Sequence, residues 1–212
     1  MIVEPAHQLV TVFGGAGFIG RYVCEMLLKS AVRVRVASRE PRSAQFIQPL
    51  GQVGQFGFVR ADIGNAASVA RAVEGSSAVV NLCGLLKGNF QAVHVTGARS
   101  LAEAARDAGA QALVQVSAIG ADPGAEANYG RTKGEGEEAI RGAFPTATII
   151  RPSLVFGPED QITNRLAGLA RLPFLPVIAA QRRFQPIYVR DLAQAIAAAI
   201  DKAGAAPLSA AA

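Results

Sequence analysis

Tyr129 and Lys133 stand four residues apart, a spacing that puts both side chains on one helical face about one turn apart. Ser117 closes a short apolar run twelve residues before the tyrosine. A hydroxyl, a phenol and an ammonium so spaced suit proton and hydride transfer at a carbonyl or alcohol. The phenol alone is a poor base, because a tyrosine pKa lies at about 10 in water. A neighbouring ammonium favours the phenolate and lowers that value. The pattern predicts that Ser117 bonds a substrate oxygen, Tyr129 passes the proton and Lys133 grips a cofactor ribose.

A second cluster is built from backbone. Gly14-Gly15-Ala16-Gly17-Phe18-Ile19-Gly20 follows an apolar strand pattern and opens a helical one, the setting in which a glycine motif signals a dinucleotide. Gly14 permits the sharp turn, Gly17 leaves the backbone bare toward a pyrophosphate, and Gly20 lets helix and sheet approach closely. No Ser, Thr, Asp or Asn caps the helix, so its first N–H groups are left to meet an anion. At the end of the second strand pattern stand Ser38, Arg39 and, slightly later, Arg42, where NAD binders tend to carry an acid. An arginine fork grips a 2′-phosphate with two charge-assisted bonds, so these residues favour NADP(H) over NAD(H). Glu40 keeps the alternative open, since one residue of register would set a carboxylate at the ribose.

The elements that must position these groups alternate. Strands are expected at Leu9–Phe13, Val32–Ala37, Gly57–Arg60, Ala78–Leu82, Ala112–Ser117 and Thr146–Ile150. Helices are expected at Phe18–Lys29, Ala66–Glu74, Gln91–Ala108, Tyr129–Arg141, Asn164–Arg171 and Asp191–Lys202, the last with Asp191 as its N-cap. Glu40–Ser43 reads as a polar loop and Gln185–Val189 as extended. Such alternation predicts an α/β fold, a doubly wound parallel sheet, over residues 1–202 as one domain. Residues 203–212 form an Ala-rich tail.

Composition narrows the class. Of 212 residues, 50% are hydrophobic and 17% charged, enough for a buried core. The net charge of +5 comes from scattered residues such as Arg33, Arg60, Arg71 and Arg99 rather than a basic run. That argues for an anionic small ligand and against nucleic acid. Cys24 and Cys83 sit in apolar contexts without metal-ligand spacing and both read as reduced core or near-site residues. No signal-peptide pattern opens the chain and no window supplies about 18 uninterrupted apolar residues, so a cytoplasmic protein without a transmembrane segment is expected.

Taken in order, Gly14–Gly20, Asp62-Ile63, Asn81-Leu82-Cys83-Gly84, Ser117, Tyr129/Lys133 and Arg151-Pro152-Ser153-Leu154-Val155-Phe156-Gly157-Pro158 resemble an extended short-chain dehydrogenase/reductase of the epimerase/dehydratase family. The resemblance spans about residues 8–200. It implies a Rossmann fold, with Asp62 and Ile63 flanking an adenine, Asn81, Cys83 and Gly84 beside the cofactor, and Pro152 and Ser153 at its nicotinamide side. Without that resemblance Asp62 reads as a turn cap and Pro152 as a strand terminator. Ser117–Asp122, Tyr129–Glu135, Phe156–Asp160 and Phe184–Val189 are further similar to the branch of NAD(P)-binding accessory subunits of respiratory complex I and their bacterial relatives. That branch implies a tightly held NADPH without established turnover, and attachment to the peripheral arm of a membrane enzyme at the inner face of the membrane.

Departures from the family pattern bear on catalysis. His94 stands where many relatives keep an asparagine, and Cys83 replaces a usual alanine. His94 reads either as a proton relay or as a packing residue. Gly130, Gly134 and Gly136 crowd the catalytic helix at about 1 kcal/mol each relative to Ala, which predicts a loosely held Tyr129. Residues 151–202 look like the remnant of a substrate lobe. An accessory protein with a resident nucleotide, an active oxidoreductase or epimerase, and an NADP-sensing regulator all remain open on the sequence.

Overall fold

The computed structural model describes residues 8–30, 32–169 and 184–205. Its centre is a six-stranded sheet in the order β3-β2-β1-β4-β5-β6. The strands are β1 (Leu9–Phe13), β2 (Arg33–Ser38), β3 (Phe56–Arg60), β4 (Ala78–Asn81), β5 (Ala112–Val116) and β6 (Thr148–Ile150), and every pairing is parallel. Strand side chains alternate between faces, so one run of residues serves two cores. Val10 and Val12 of β1 join Val34, Val36, Val80 and Val114 beneath α1 (Phe18–Leu28) and the last helix. Phe13, Val79 and Leu113 face the other way, toward α2 (Ala66–Val73), α3 (Ala98–Asp107) and α4 (Asn128–Ala143). Both faces are covered, as a parallel sheet requires.

Two polar side chains pin strands to the helix layer. Thr11, fully buried on β1, bonds the Ser76 hydroxyl at 2.7 Å and donates to the Ala72 carbonyl. Arg35 donates to the carbonyls of Ala72 and Glu74, closing the C-terminal end of α2 with a cation where the helix dipole favours one. Past β6, β7 (Val155–Phe156) and β8 (Ile187–Tyr188) form a separate parallel pair. Between them lies α5 (Gln161–Leu169), and after them α6 (Val189–Lys202), whose Leu192, Ile196 and Ile200 are fully buried against α1.

Several boundaries differ from the sequence expectation. Glu40–Ser43 opens a 3-10 helix, Pro41–Leu50, held by the burial of Ala44 and Ile47. α6 starts at Val189, so Asp191 lies within its first turn, complements the helix dipole there and caps nothing. α5 begins at Gln161 rather than Asn164, because Asp160 caps it by accepting the Thr163 amide. Residues 170–171 of the expected helix and 206–212 of the expected tail lie outside the described residues. The long helix begins with a π-helical segment, Gln91–Gly97, that runs directly into α3.

Candidate functional site

In this strand order the chain reverses direction across the sheet between β1 and β4, and a crevice opens at their C-terminal ends. A cleft of about 320 Å³ lies there, bounded by Gly14, Ala16 and Gly17 on one side and by Cys83, Gly84 and Leu85 on the other. Ser38, Arg39, Asp62 and Ile63 form its far end.

The glycine turn is dictated by space. Gly14 adopts φ +77°, and a Cβ there would press on the Leu82 backbone at 3.2 Å. A Cβ on Gly20 would overlap the Gly14 carbonyl oxygen and stand 2.5 Å from the Gly15 Cα. Gly15 packs beneath the turn, where a side chain would meet Val36 and Cys24. Gly17 is exposed and forms the N-cap of α1 without a side-chain hydrogen bond, and no acid occupies the first helical turn. The N–H groups of Phe18 and Ile19 therefore head the helix with no capping side chain, the arrangement that receives a diphosphate.

At the far end, the Ser38 hydroxyl bonds both the N–H and the carbonyl of Glu40. Arg39 is exposed and makes no ion pair among the described residues. Its charge is felt in the cleft, where it opposes the effect of burial that pushes the Cys83 thiol up to about 11. Arg42 is exposed and does not line the cleft. Asp62 lines the cleft, and its Oδ1 caps the turn by accepting the Gly64 N–H at 2.9 Å. Asn81 is buried beneath the floor, donating to Gln115 at 2.7 Å and accepting the Cys83 N–H at 3.0 Å. It shapes the turn that presents Cys83 and Gly84.

Lys133 reaches this floor from α4. Its Nζ donates to the Val116 carbonyl at 3.3 Å and lies 3.5 Å from where a Gly84 Cβ would stand. Burial lowers its pKa, partly offset by Cys83 and Glu137. Tyr129, one turn earlier, packs edge-on against His94 at 5.7 Å and Phe90 at 6.2 Å. Burial raises the Tyr129 pKa, the direction opposite to that expected of an ammonium-stabilised phenolate. Its helix is not loose. A Cβ on Gly134 would overlap the Asp122–Pro123 backbone, and one on Gly136 the His94 carbonyl oxygen. Gly134 seats α4 on the loop after β5 and Gly136 seats it on the π-helical segment, and their propensity cost is offset by that approach.

Ser117 departs most from its expected role. Its side chain is buried and its hydroxyl has no hydrogen-bond partner among the described residues. It lies close enough to Glu137 to favour that carboxylate, though outside hydrogen-bonding geometry. Glu137 follows Tyr129 by eight residues, about 12 Å along a helix. The hydroxyl thus neighbours a residue two turns along α4 from the phenol. Glu137, itself 1% exposed, is gripped by Arg151 through bonds of 2.6, 2.9 and 3.2 Å, and Arg141 stands 3.6 Å away. Pro152 accepts the Ile119 amide at 2.9 Å, tying the loop after β5 to the segment after β6. Ser153 is half-buried beside it.

The loop after β7 anchors the opening of α1. Glu159 accepts from Arg21 and from the Tyr22 hydroxyl, both at 2.6 Å, and Gly157 leaves no room for a Cβ beside Val189 and Phe18. Leu85, Val93 and Ala61 also line the cleft and went unread in the sequence. Ala61 was accessible as the residue following a strand, whereas nothing local marks Leu85 and Val93.

Comparison with known proteins agrees with this geometry. Over 190 residues the chain is 32% identical to the mitochondrial NADH-ubiquinone oxidoreductase 40 kDa subunit of Neurospora crassa, covering 88% of this chain and 50% of that protein. It is 35% identical over 203 residues to the ceramide reductase of Caulobacter vibrioides, covering 93% and 62% respectively. The chain thus spans between half and two thirds of the length of these relatives. In structure it superposes on the Bordetella bronchiseptica enzyme WbmH in complex with NAD+ with a TM-score of 0.74 at 20% identity, covering 92% of this chain and 72% of that one, a likeness of fold. Residues 10–208 match the model of the NAD dependent epimerase/dehydratase family. A nicotinamide dinucleotide is the ligand class that this cleft and this match share, and the chain belongs to the NAD-dependent epimerase/dehydratase family.

Proposed function

We propose that this chain holds NADP(H) as a resident nucleotide and serves as an accessory component of a membrane respiratory complex. One observation carries the choice of nucleotide. The cleft ends at Ser38 and an Arg39 with no carboxylate partner among the described residues, so a 2′-phosphate would find an uncommitted guanidinium. Ser38 is already turned onto the Glu40 backbone. Resident binding rather than turnover is supported by the Ser117 hydroxyl facing Glu137 and by a Tyr129 phenol whose proton burial retains. Similarity to a complex I subunit supports the accessory role, and no helix among the described residues is long and apolar enough to cross a membrane, which fits peripheral attachment. The test is mass spectrometry of the nucleotide that survives purification, followed by melting with added NADPH or NADH. NADPH at a hundredfold excess over its Kd stabilises by about 2.7 kcal/mol. Equal stabilisation by NADH overturns the choice, and a protein that is purified without nucleotide and responds to neither overturns the site.

A second reading, an active oxidoreductase, is supported by the Tyr129/Lys133 pair and by the similarity to a ceramide reductase. Tyr129→Phe separates the two. Under resident binding it leaves NADPH affinity and every measurable NADPH oxidation unchanged. Under turnover it abolishes oxidation on an apolar carbonyl substrate.

A further inference from the structure

We propose that His94 is a positioning residue that latches the wall of the cleft to the helix bearing Tyr129 and Lys133, by bridging the Leu85 amide to the Thr132 hydroxyl. Leu85 lines the cleft, and its N–H donates to His94 Nε2 at 3.0 Å. An accepting Nε2 carries no proton, so the neutral ring bears its proton on Nδ1. Nδ1 faces the Thr132 hydroxyl at 3.0 Å, and that hydroxyl donates onward to the Asn128 carbonyl at 2.8 Å, leaving its lone pair for Nδ1–H. Every group in the chain from Leu85 to Asn128 then has one consistent role.

Three other observations converge on the same side chain. Phe90 stacks on the imidazole at 5.3 Å with planes 21° apart, and Tyr129 meets it edge-on. His94 sits within the π-helical segment, an irregularity that often accompanies functional sites. Its own carbonyl oxygen is the point on which Gly136 seats α4. The titratable groups facing the ring are Lys133 and Tyr129; burial and then the Lys133 charge hold the imidazole neutral, with its pKa down at about 4. A protonated ring would set Nε2–H against the Leu85 N–H and release the wall. The sequence alternatives of proton relay and plain packing give way to a neutral bridge between two parts of one cleft.

The full chain carries two histidines, so nitrogen-15 histidine NMR gives a two-ring spectrum that a His94→Phe variant assigns. The expected spectrum shows His94 neutral with the proton on Nδ1 at pH 7 and still at pH 5.5. His94→Phe keeps the stacking and loses both nitrogens; amide exchange at Leu85 should then quicken about tenfold and NADPH affinity fall about tenfold. Thr132→Val should give a smaller change in the same direction. A ring protonated on Nε2 at pH 7, or Leu85 exchange unchanged in both variants, overturns the latch. Should His94→Phe fail to fold, the wild-type tautomer and Thr132→Val decide. The affinity arm rests on the dinucleotide reading of the cleft; a wild-type protein that binds no NADPH sinks that reading, while tautomer and exchange still judge the latch.

Discussion

Where β1 and β2 meet the opening of α1, the wall of the cleft is backbone: a left-handed Gly14, a bare Gly17, and a Gly20 whose missing side chain lets the helix touch the turn. Across the crevice, where α4 meets the π-helical segment, the wall is held by side chains: Lys133 on the Val116 carbonyl, His94 between Leu85 and Thr132, and Glu137 under Arg151. The first region depends on exclusion of volume, which pH does not touch. The second depends on protonation states and hydrogen-bond direction, yet it rests on one volume-limited contact of its own at Gly136. One wall of the cleft is thus set by excluded volume and the other by hydrogen-bonded side chains.

The sharpest way to break this contrast is to add a methyl at each glycine contact. Gly20→Ala and Gly136→Ala each drive a Cβ into backbone oxygen, and each should cost about 3 kcal/mol or more in denaturant unfolding. A Gly136→Ala protein as stable as wild type would show that α4 shifts freely, and the two walls would then share no volume-limited contact.

Acid should act on the second region through His94. His94 has its folded pKa at about 4, below the value near 6.5 of an unfolded histidine. Between those values the unfolded chain binds more protons, so the histidine's contribution is complete above pH 6.5 and is lost as pH falls toward 4. The loss should approach 3 kcal/mol, on the order of the shift, read as the difference between wild-type and His94→Gln stability curves. Parallel curves would remove the protonation-sensitive character of that wall.

The adenosine end should respond in selectivity rather than stability. Arg39→Ala is expected to lower the preference for NADPH over NADH by tenfold to a hundredfold, about 1.4 to 2.8 kcal/mol, by equilibrium binding. Arg42→Ala, away from the cleft, should leave the ratio unchanged. The smallest effect is a gain. Gly142 lies on the exposed end of α4 with nothing within 4 Å of a Cβ, so Gly142→Ala should add about 1 kcal/mol of helix propensity. Set beside Gly136→Ala, it distinguishes a glycine that is needed from one that is merely present.

How far these features could be read in the chain varies by residue. β1 was legible to the residue, and Gly14 and Gly20 adopt the turn and the close approach their spacing implies, because a strand–turn–helix with fixed close approaches is a local construction. Tyr129 and Lys133 share a face for the same local reason. Ser117 was misplaced because the residue after a strand can face either side, and the packing of α4 decides which. Leu85 and Val93 went unread because a wall folded over from another element leaves no periodic trace. Gly134 and Gly136 looked like defects in a helix, since propensity counts only the helix and not the backbone lying against it.

By itself the sequence determined the alternation of strands and helices, the phosphate turn and the helical pairing of phenol and ammonium, all set by period, glycine freedom and near neighbours in the chain. Only the tertiary structure decided which groups meet across the cleft. His94 became a bridge, Ser117 a neighbour of Glu137 and Tyr129 a buried phenol, because burial and hydrogen-bond direction are fixed by elements distant in sequence that come within a few ångströms on folding.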